Sequence, residues 1–131
     1  MAHAVTTFLM FEGAAEEALT FYVSLFPRSA VHTLERWGAE APGREATVKR
    51  ATFTVGGLAL VAMDSPIHHD FTFTPALSLF VECESAAELD DVYARLAEGG
   101  TVLMPVGEYG FSKRFGWVND RFGVSWQLNL V

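Results

Sequence analysis

Short apolar runs at strand spacing alternate with two longer stretches at helical spacing, and the pattern occurs twice along the chain. Residues 6–11, TTFLMF, are β-branched and aromatic, which suits a strand. In 13–26, GAAEEALTFYVSLF, one stripe holds Ala15, Ala18, Leu19, Tyr22, Leu25 and Phe26, with Glu16 and Glu17 off it. That spacing predicts an amphipathic helix with both acids in its first turn, where the helix dipole favours them. Pro27 stops it. Strand-like runs follow at 30–37, 46–55 and 58–64, split by a polar loop at 38–45 and by Gly56-Gly57. These three predict a meander.

The second round begins with LSLFVEC at 77–83. Residues 85–100 then carry a helix with its own start and stop. Ser85 and Glu88 make an S-x-x-E capping box, and Gly99-Gly100 suit a left-handed C-terminal cap. Its stripe is Leu89, Val92, Tyr93 and Leu96, so Ala18, Tyr22 and Leu25 recur as Leu89, Tyr93 and Leu96, 71 residues on. Runs at 101–106, 111–118 and 123–130 repeat the three strands, with a turn at 119–123. A four-stranded sheet with one helix leaves its other face apolar, and two such sheets can curve around a shared cleft. The expected fold is α+β: two tandem β-α-β-β-β units with mixed sheets, in a single domain spanning 1–131. Unit one is 6–64, a linker 65–75, and unit two 76–130.

Composition narrows the function. Half the residues are apolar and 13% aromatic, which excludes a disordered chain. Nine basic residues against 16 acidic ones give a formal charge of -7, a field that repels nucleic acid and anionic lipid. Cys83 is the single cysteine, which excludes an intrachain disulfide and suits a reducing cytosol. The N-terminal stretch lacks the basic start of a signal peptide, and no apolar run reaches a membrane span. The expectation is a soluble cytoplasmic protein.

Candidate chemistry gathers in DSPIHHDFTFTP, residues 64–75. Adjacent side chains of an extended segment point opposite ways, so His68 and His69 do not readily share one metal ion. The favoured reading is a connector between the units, with Phe71 and Phe73 tucked inward, the histidines near solvent, and His68 at most a pocket-lining donor. On 123–130, Ser125, Gln127 and Asn129 share one face, and Trp126, Leu128 and Leu130 the other. The polar face suits solvent or a cleft wall equally. Phe115 and Trp117 share a face and could line an apolar cleft, although aromatics at strand spacing are more often core. Cys83 stands between Glu82 and Glu84, which raise a thiol pKa and argue against a nucleophile.

Three blocks, TTFLMFEGAAEEALTFYVSLFP, MDSPIHHDFTFTPALSLFVECES and EGGTVLMPVGEYGFSKRFGWVNDRFGVSWQLNL, resemble the PhnB-like branch of the vicinal oxygen chelate superfamily. That superfamily includes glyoxalase I, bleomycin-resistance proteins, fosfomycin-resistance enzymes and extradiol dioxygenases. The resemblance covers residues 6–130 and implies the paired-sheet fold and a homodimer. Members often carry a demethylubiquinone methyltransferase label, which the sequence does not support, because the Gly-rich loop of a typical methyltransferase is missing. The superfamily's usual metal ligands are His, Glu or Gln from the first and last strands of each unit. By register from the helices these positions fall at Thr7, near Ala62, at Ala76 or Ser78, and at Gln127. Such a set disfavours a divalent metal, and no cofactor is expected. The resemblance of the segment DSPIHHDFTFTP to the branch is taken to set Asp64 and His68 beside the candidate cleft. The candidate cleft residues are therefore Thr7, Asp64, His68, Phe115, Trp117 and Gln127. The resulting expectation is a protein binding a small organic molecule without metal. A glyoxalase-like lyase or isomerase with an atypical ligand set is the alternative, and a structural partner protein with a vestigial cleft a weaker one.

Overall fold

The computed structural model describes residues 1–131 and divides into two compact units, Met1–His69 and Asp70–Val131. The first contains β1 (Thr7–Phe11), α1 (Ala15–Leu25), β2 (Ala30–Arg36), β3 (Val48–Val55) and β4 (Leu58–Asp64). The second contains β5 (Ser78–Cys83), α2 (Ala86–Ala97), β6 (Thr101–Tyr109), β7 (Ser112–Asn119) and β8 (Ser125–Leu130). Each unit forms a four-stranded mixed sheet, ordered β1-β4-β3-β2 and β5-β8-β7-β6. The first strand of each pairs parallel with the last, and the other pairings are the antiparallel meander. The tandem β-α-β-β-β architecture is therefore as the repeated pattern predicts.

One helix covers one face of each sheet. In the first unit Leu9, Phe11, Ala51, Phe53, Leu60 and Ala62 lie on the covered face and are buried. Against them α1 buries Ala15, Ala18, Leu19, Tyr22 and Leu25, the stripe read from the sequence. In the second unit Val118, Trp126 and Leu128 are buried with Leu89, Val92, Tyr93 and Leu96 of α2. Gly116 belongs to this face because Tyr93 crosses it: a Cβ there would stand 2.5 Å from the ring.

Several element ends differ from expectation. Strand β3 starts at Val48 rather than at residue 46, because Ala46 is left-handed (φ 69°) and Thr47 turns back to bond Arg44. Strand β6 runs on to Tyr109 through register shifts around Pro105 and Gly107. It is an edge strand, where proline's missing donor is tolerated. Helix α1 begins at Ala15, leaving Gly13 and Ala14 in the turn. Gly99 adopts the left-handed conformation (φ 73°) expected of it. Neither helix is long and apolar enough to cross a membrane.

Candidate functional site

Each sheet has a face turned away from its helix, and on the second sheet this face carries the candidates Phe115, Trp117 and Gln127. In the first unit β1 presents Phe8 and Met10 there, and β4 presents Val61 and Met63, by alternation with their buried neighbours. In the second unit β5 presents Ser78, Phe80 and Glu82, and β8 presents Ser125, Gln127 and Asn129. Phe8 sits opposite Val61, and Phe80 opposite Gln127, in equivalent registers. The two rings are 52% and 55% exposed, unusual for aromatics in strands.

Polar groups on the second unit's open face are tied to one another. Gln127 Nε2 donates to Ser78 Oγ at 2.7 Å across the parallel β5–β8 pair. Trp117 Nε1 donates to Ser125 Oγ at 2.8 Å across β7–β8. Ser112 Oγ donates to the Asn129 side chain. Phe115 is on the same side but only 3% exposed. Tyr109 and Phe111 cover it, with ring centroids 6.0 and 5.0 Å away in edge-on contact. Trp117 and Gln127 thus meet as direct cross-strand partners, and Phe115 lies beneath the β6–β7 hairpin aromatics.

Thr7 is on the other side. It alternates with Leu9 and Phe11 toward the helix, as Ala62 does opposite Leu9. The connection from first strand to helix spans residues 12–14 in the first unit and 84–85 in the second. That one-residue difference turns a register taken from the helices onto the opposite strand face. The open-side positions are Phe8 and Val61.

Asp64 is also helix-facing and fully engaged. Its Oδ1 accepts from the Gly13 and Ala15 amides at 2.7 and 3.0 Å, and its Oδ2 from Val48 N at 2.9 Å. The Asp64 carbonyl accepts from Trp37 Nε1. A buried carboxylate holding three backbone donors serves the fold, with little left for a ligand.

The two histidines face different partners. His68 Nδ1 bonds Glu12 Oε1 at 2.9 Å, with the imidazole 78% exposed. His69 Nε2 bonds Ser65 Oγ at 2.8 Å, and its backbone amide donates to Glu12 Oε2 at 3.2 Å. The hydrogen bond from His68 is the main cause holding the Glu12 carboxyl below its usual range. Glu12 had no signal in the sequence, since its partners lie 56 and 57 residues away. Phe71 is 65% exposed rather than tucked inward, while Phe73 is half-buried near Gly123. The reason is local: residues 65–77 form no strand, so period-two alternation does not govern these rings. Burial, and secondarily Glu88, push the Cys83 thiol up to about 11, which suits a packing role rather than a nucleophile.

These donors do not suit the divalent metal of the paired-sheet fold. The open sides of β1 and β4 offer carbon and thioether groups, and those of β5 and β8 offer amides, hydroxyls and the single carboxylate Glu82. No group of three or more His, Cys, Asp or Glu side chains is arranged to hold an ion.

A tandem β-α-β-β-β chain with helix-free sheet faces is a protein of the vicinal oxygen chelate class. Within that class, residues 3–129 match the family model described as 3-demethylubiquinone-9 3-methyltransferase, and the chain belongs to that PhnB-like family. The PhnB protein of Bacillus cereus, carrying the same description, is 53% identical, with 98% of this chain and 100% of that one covered and a TM-score of 0.95. A Pseudomonas aeruginosa protein is 28% identical over 98% of both chains, with a TM-score of 0.82. The fosfomycin-resistance protein of Listeria monocytogenes shares the fold at 14% identity, covering 100% of this chain and 94% of that one, with a TM-score of 0.64. No curated protein matches the chain significantly.

Proposed function

We propose that this chain binds a small organic molecule on its helix-free sheet faces, without a divalent metal. The carrying observation is the pair Phe8 and Phe80, exposed at equivalent registers, with the polar Gln127 beside the second ring. Exposed aromatics next to a few oriented polar groups are the usual make-up of a small-molecule site.

The methyl transfer in the family's description has little physical support. A nucleotide cofactor normally sits against a Gly-rich turn that leads from a parallel strand into a helix whose first amides are free. Here Asp64 takes the Gly13 and Ala15 amides at the start of α1, and the Ser85 hydroxyl caps α2. A homodimer is part of this reading. Edge strands β2 and β6 carry exposed Val31 and Val102, which a second copy could cover.

Fragment screening by protein-observed NMR tests the binding. Apolar fragments are expected to shift the signals of Phe80, Trp117 or Gln127, and the shifts to vanish in Phe80→Ala. Calorimetry with zinc, nickel and manganese is expected to show no tight one-to-one event. A tight event abolished by Gln127→Ala or His68→Ala would overturn the metal-free reading in favour of a glyoxalase-like lyase or isomerase.

A further inference from the structure

Resting on the binding reading above, we infer that the site on the second unit takes an uncharged, flat aromatic ligand that carries a hydrogen-bond donor next to an acceptor. The inference starts from what the local hydrogen bonds leave over. Gln127 gives one amide hydrogen to Ser78 Oγ. Its Oε1 remains to accept, and the Ser78 hydroxyl hydrogen remains to donate. Flipping the amide exchanges the two roles and leaves one donor and one acceptor side by side. The Trp117 N–H is held by Ser125, so the indole offers a ligand its π surface. Phe80 stands directly opposite Gln127 and supplies an exposed ring. An aromatic surface beside one donor–acceptor pair is complementary to a planar ring bearing the reverse pair, as in a lactam.

Charge argues against the anionic class of ligand. On the open sides of β5 and β8 the ionisable group is Glu82, two residues along β5 from Phe80. The nearest strand cation on that side, Lys113, is four residues along β7 from Trp117, roughly 13 Å at strand rise. The chain as a whole carries a formal charge of -7. A phosphonate or carboxylate would meet an acid and dipoles without a guanidinium or ammonium to pair with. A neutral ligand incurs no such penalty.

The test uses the full chain and three probes: 2-quinolone, N-methyl-2-quinolone and methylphosphonate. Calorimetry is expected to show 2-quinolone binding, with N-methyl-2-quinolone about tenfold weaker because it lacks the donor. Gln127→Leu should bring 2-quinolone down to the level of its N-methyl analogue and leave the analogue unchanged. Ser78→Ala, a smaller perturbation of the same pair, should weaken 2-quinolone severalfold while the protein stays folded by circular dichroism. Methylphosphonate should not bind. Tighter binding of methylphosphonate, or equal binding of the two quinolones in the wild type, would overturn the inference. If apolar fragments still shift Phe80 in that case, ligand binding at this face stands and only the ligand class falls. If no fragment or probe perturbs Phe80 or Gln127, both fall together.

Discussion

The two units share a topology and differ in how they hold it. Each ends its parallel strand pair with the same bond: Ser65 N donates to Phe11 O at 2.7 Å, and Val131 N to Cys83 O at 3.1 Å. The helix starts are different. In the second unit the cap is local, with Ser85 Oγ accepting from Glu88 N and Glu88 Oε1 from Glu84 N. In the first, the N-cap residue is Ala14, whose side chain makes no cap, and Asp64 reaches from the end of β4 to take the Gly13 and Ala15 amides. The second unit has its own buried aspartate elsewhere. Asp120 accepts from the Phe122 and Val124 amides and from Trp126 Nε1, ordering the β7–β8 turn. In the first unit Gly56 and Gly57, both at positive φ, make the corresponding turn. The same free donors of a helix start or a tight turn can thus be met by a near residue or a distant one, and the distant solution welds more of the fold together.

Removing the two caps is the sharpest way to break that comparison. Asp64→Ala leaves three backbone donors without a partner, two of them buried, and should lower the unfolding free energy by roughly 3–5 kcal/mol. Ser85→Ala removes a local, exposed cap and should cost about 1 kcal/mol. Urea melts of both variants measure the contrast, and equal losses would mean that the long-range cap carries no extra weight.

A second difference lies under the helices. By register from Phe8 and Phe80, Gly116 opposite Leu128 corresponds to Ala51 opposite Ala62. The second unit omits even a methyl at this place because Tyr93 occupies the room. Gly116→Ala should destabilise by about 1–3 kcal/mol through overpacking. A neutral result in the same melts would show that Tyr93 moves aside freely.

The smallest expected effect concerns the turn before each helix, where Glu12 and Glu84 are equivalent. Glu12 holds His68 and His69, while the Glu84 amide bonds Glu88 within its own turn. The folded pKa of Glu12 is lowered, so its contribution to stability is present above the unfolded glutamate pKa of 4.5 and is lost as pH falls through the folded value. NMR titration should place Glu12 below the usual range in the wild type and closer to it in His68→Ala. An unchanged Glu12 titration would separate its shift from the histidine.

Much of this architecture is legible along the chain. The stripes Ala18-Leu19-Tyr22-Leu25 and Leu89-Val92-Tyr93-Leu96, the Ser85 cap and the strand runs determine two helices, eight strands and their duplication, because periodicity and capping are local. The shared face of Ser125, Gln127 and Asn129 follows from alternation in the same way. What the tertiary structure alone decided is which partner each site residue meets. One extra residue between β1 and α1 moved the open-side position from Thr7 to Phe8. Parallel pairing set Phe80 beside Gln127, 47 residues apart in the chain, and folding set Asp64 on amides up to 51 residues away. A strand's faces are written in its own period of two. Its neighbours, and the length of the turns that set its phase, depend on contacts between residues far apart in sequence.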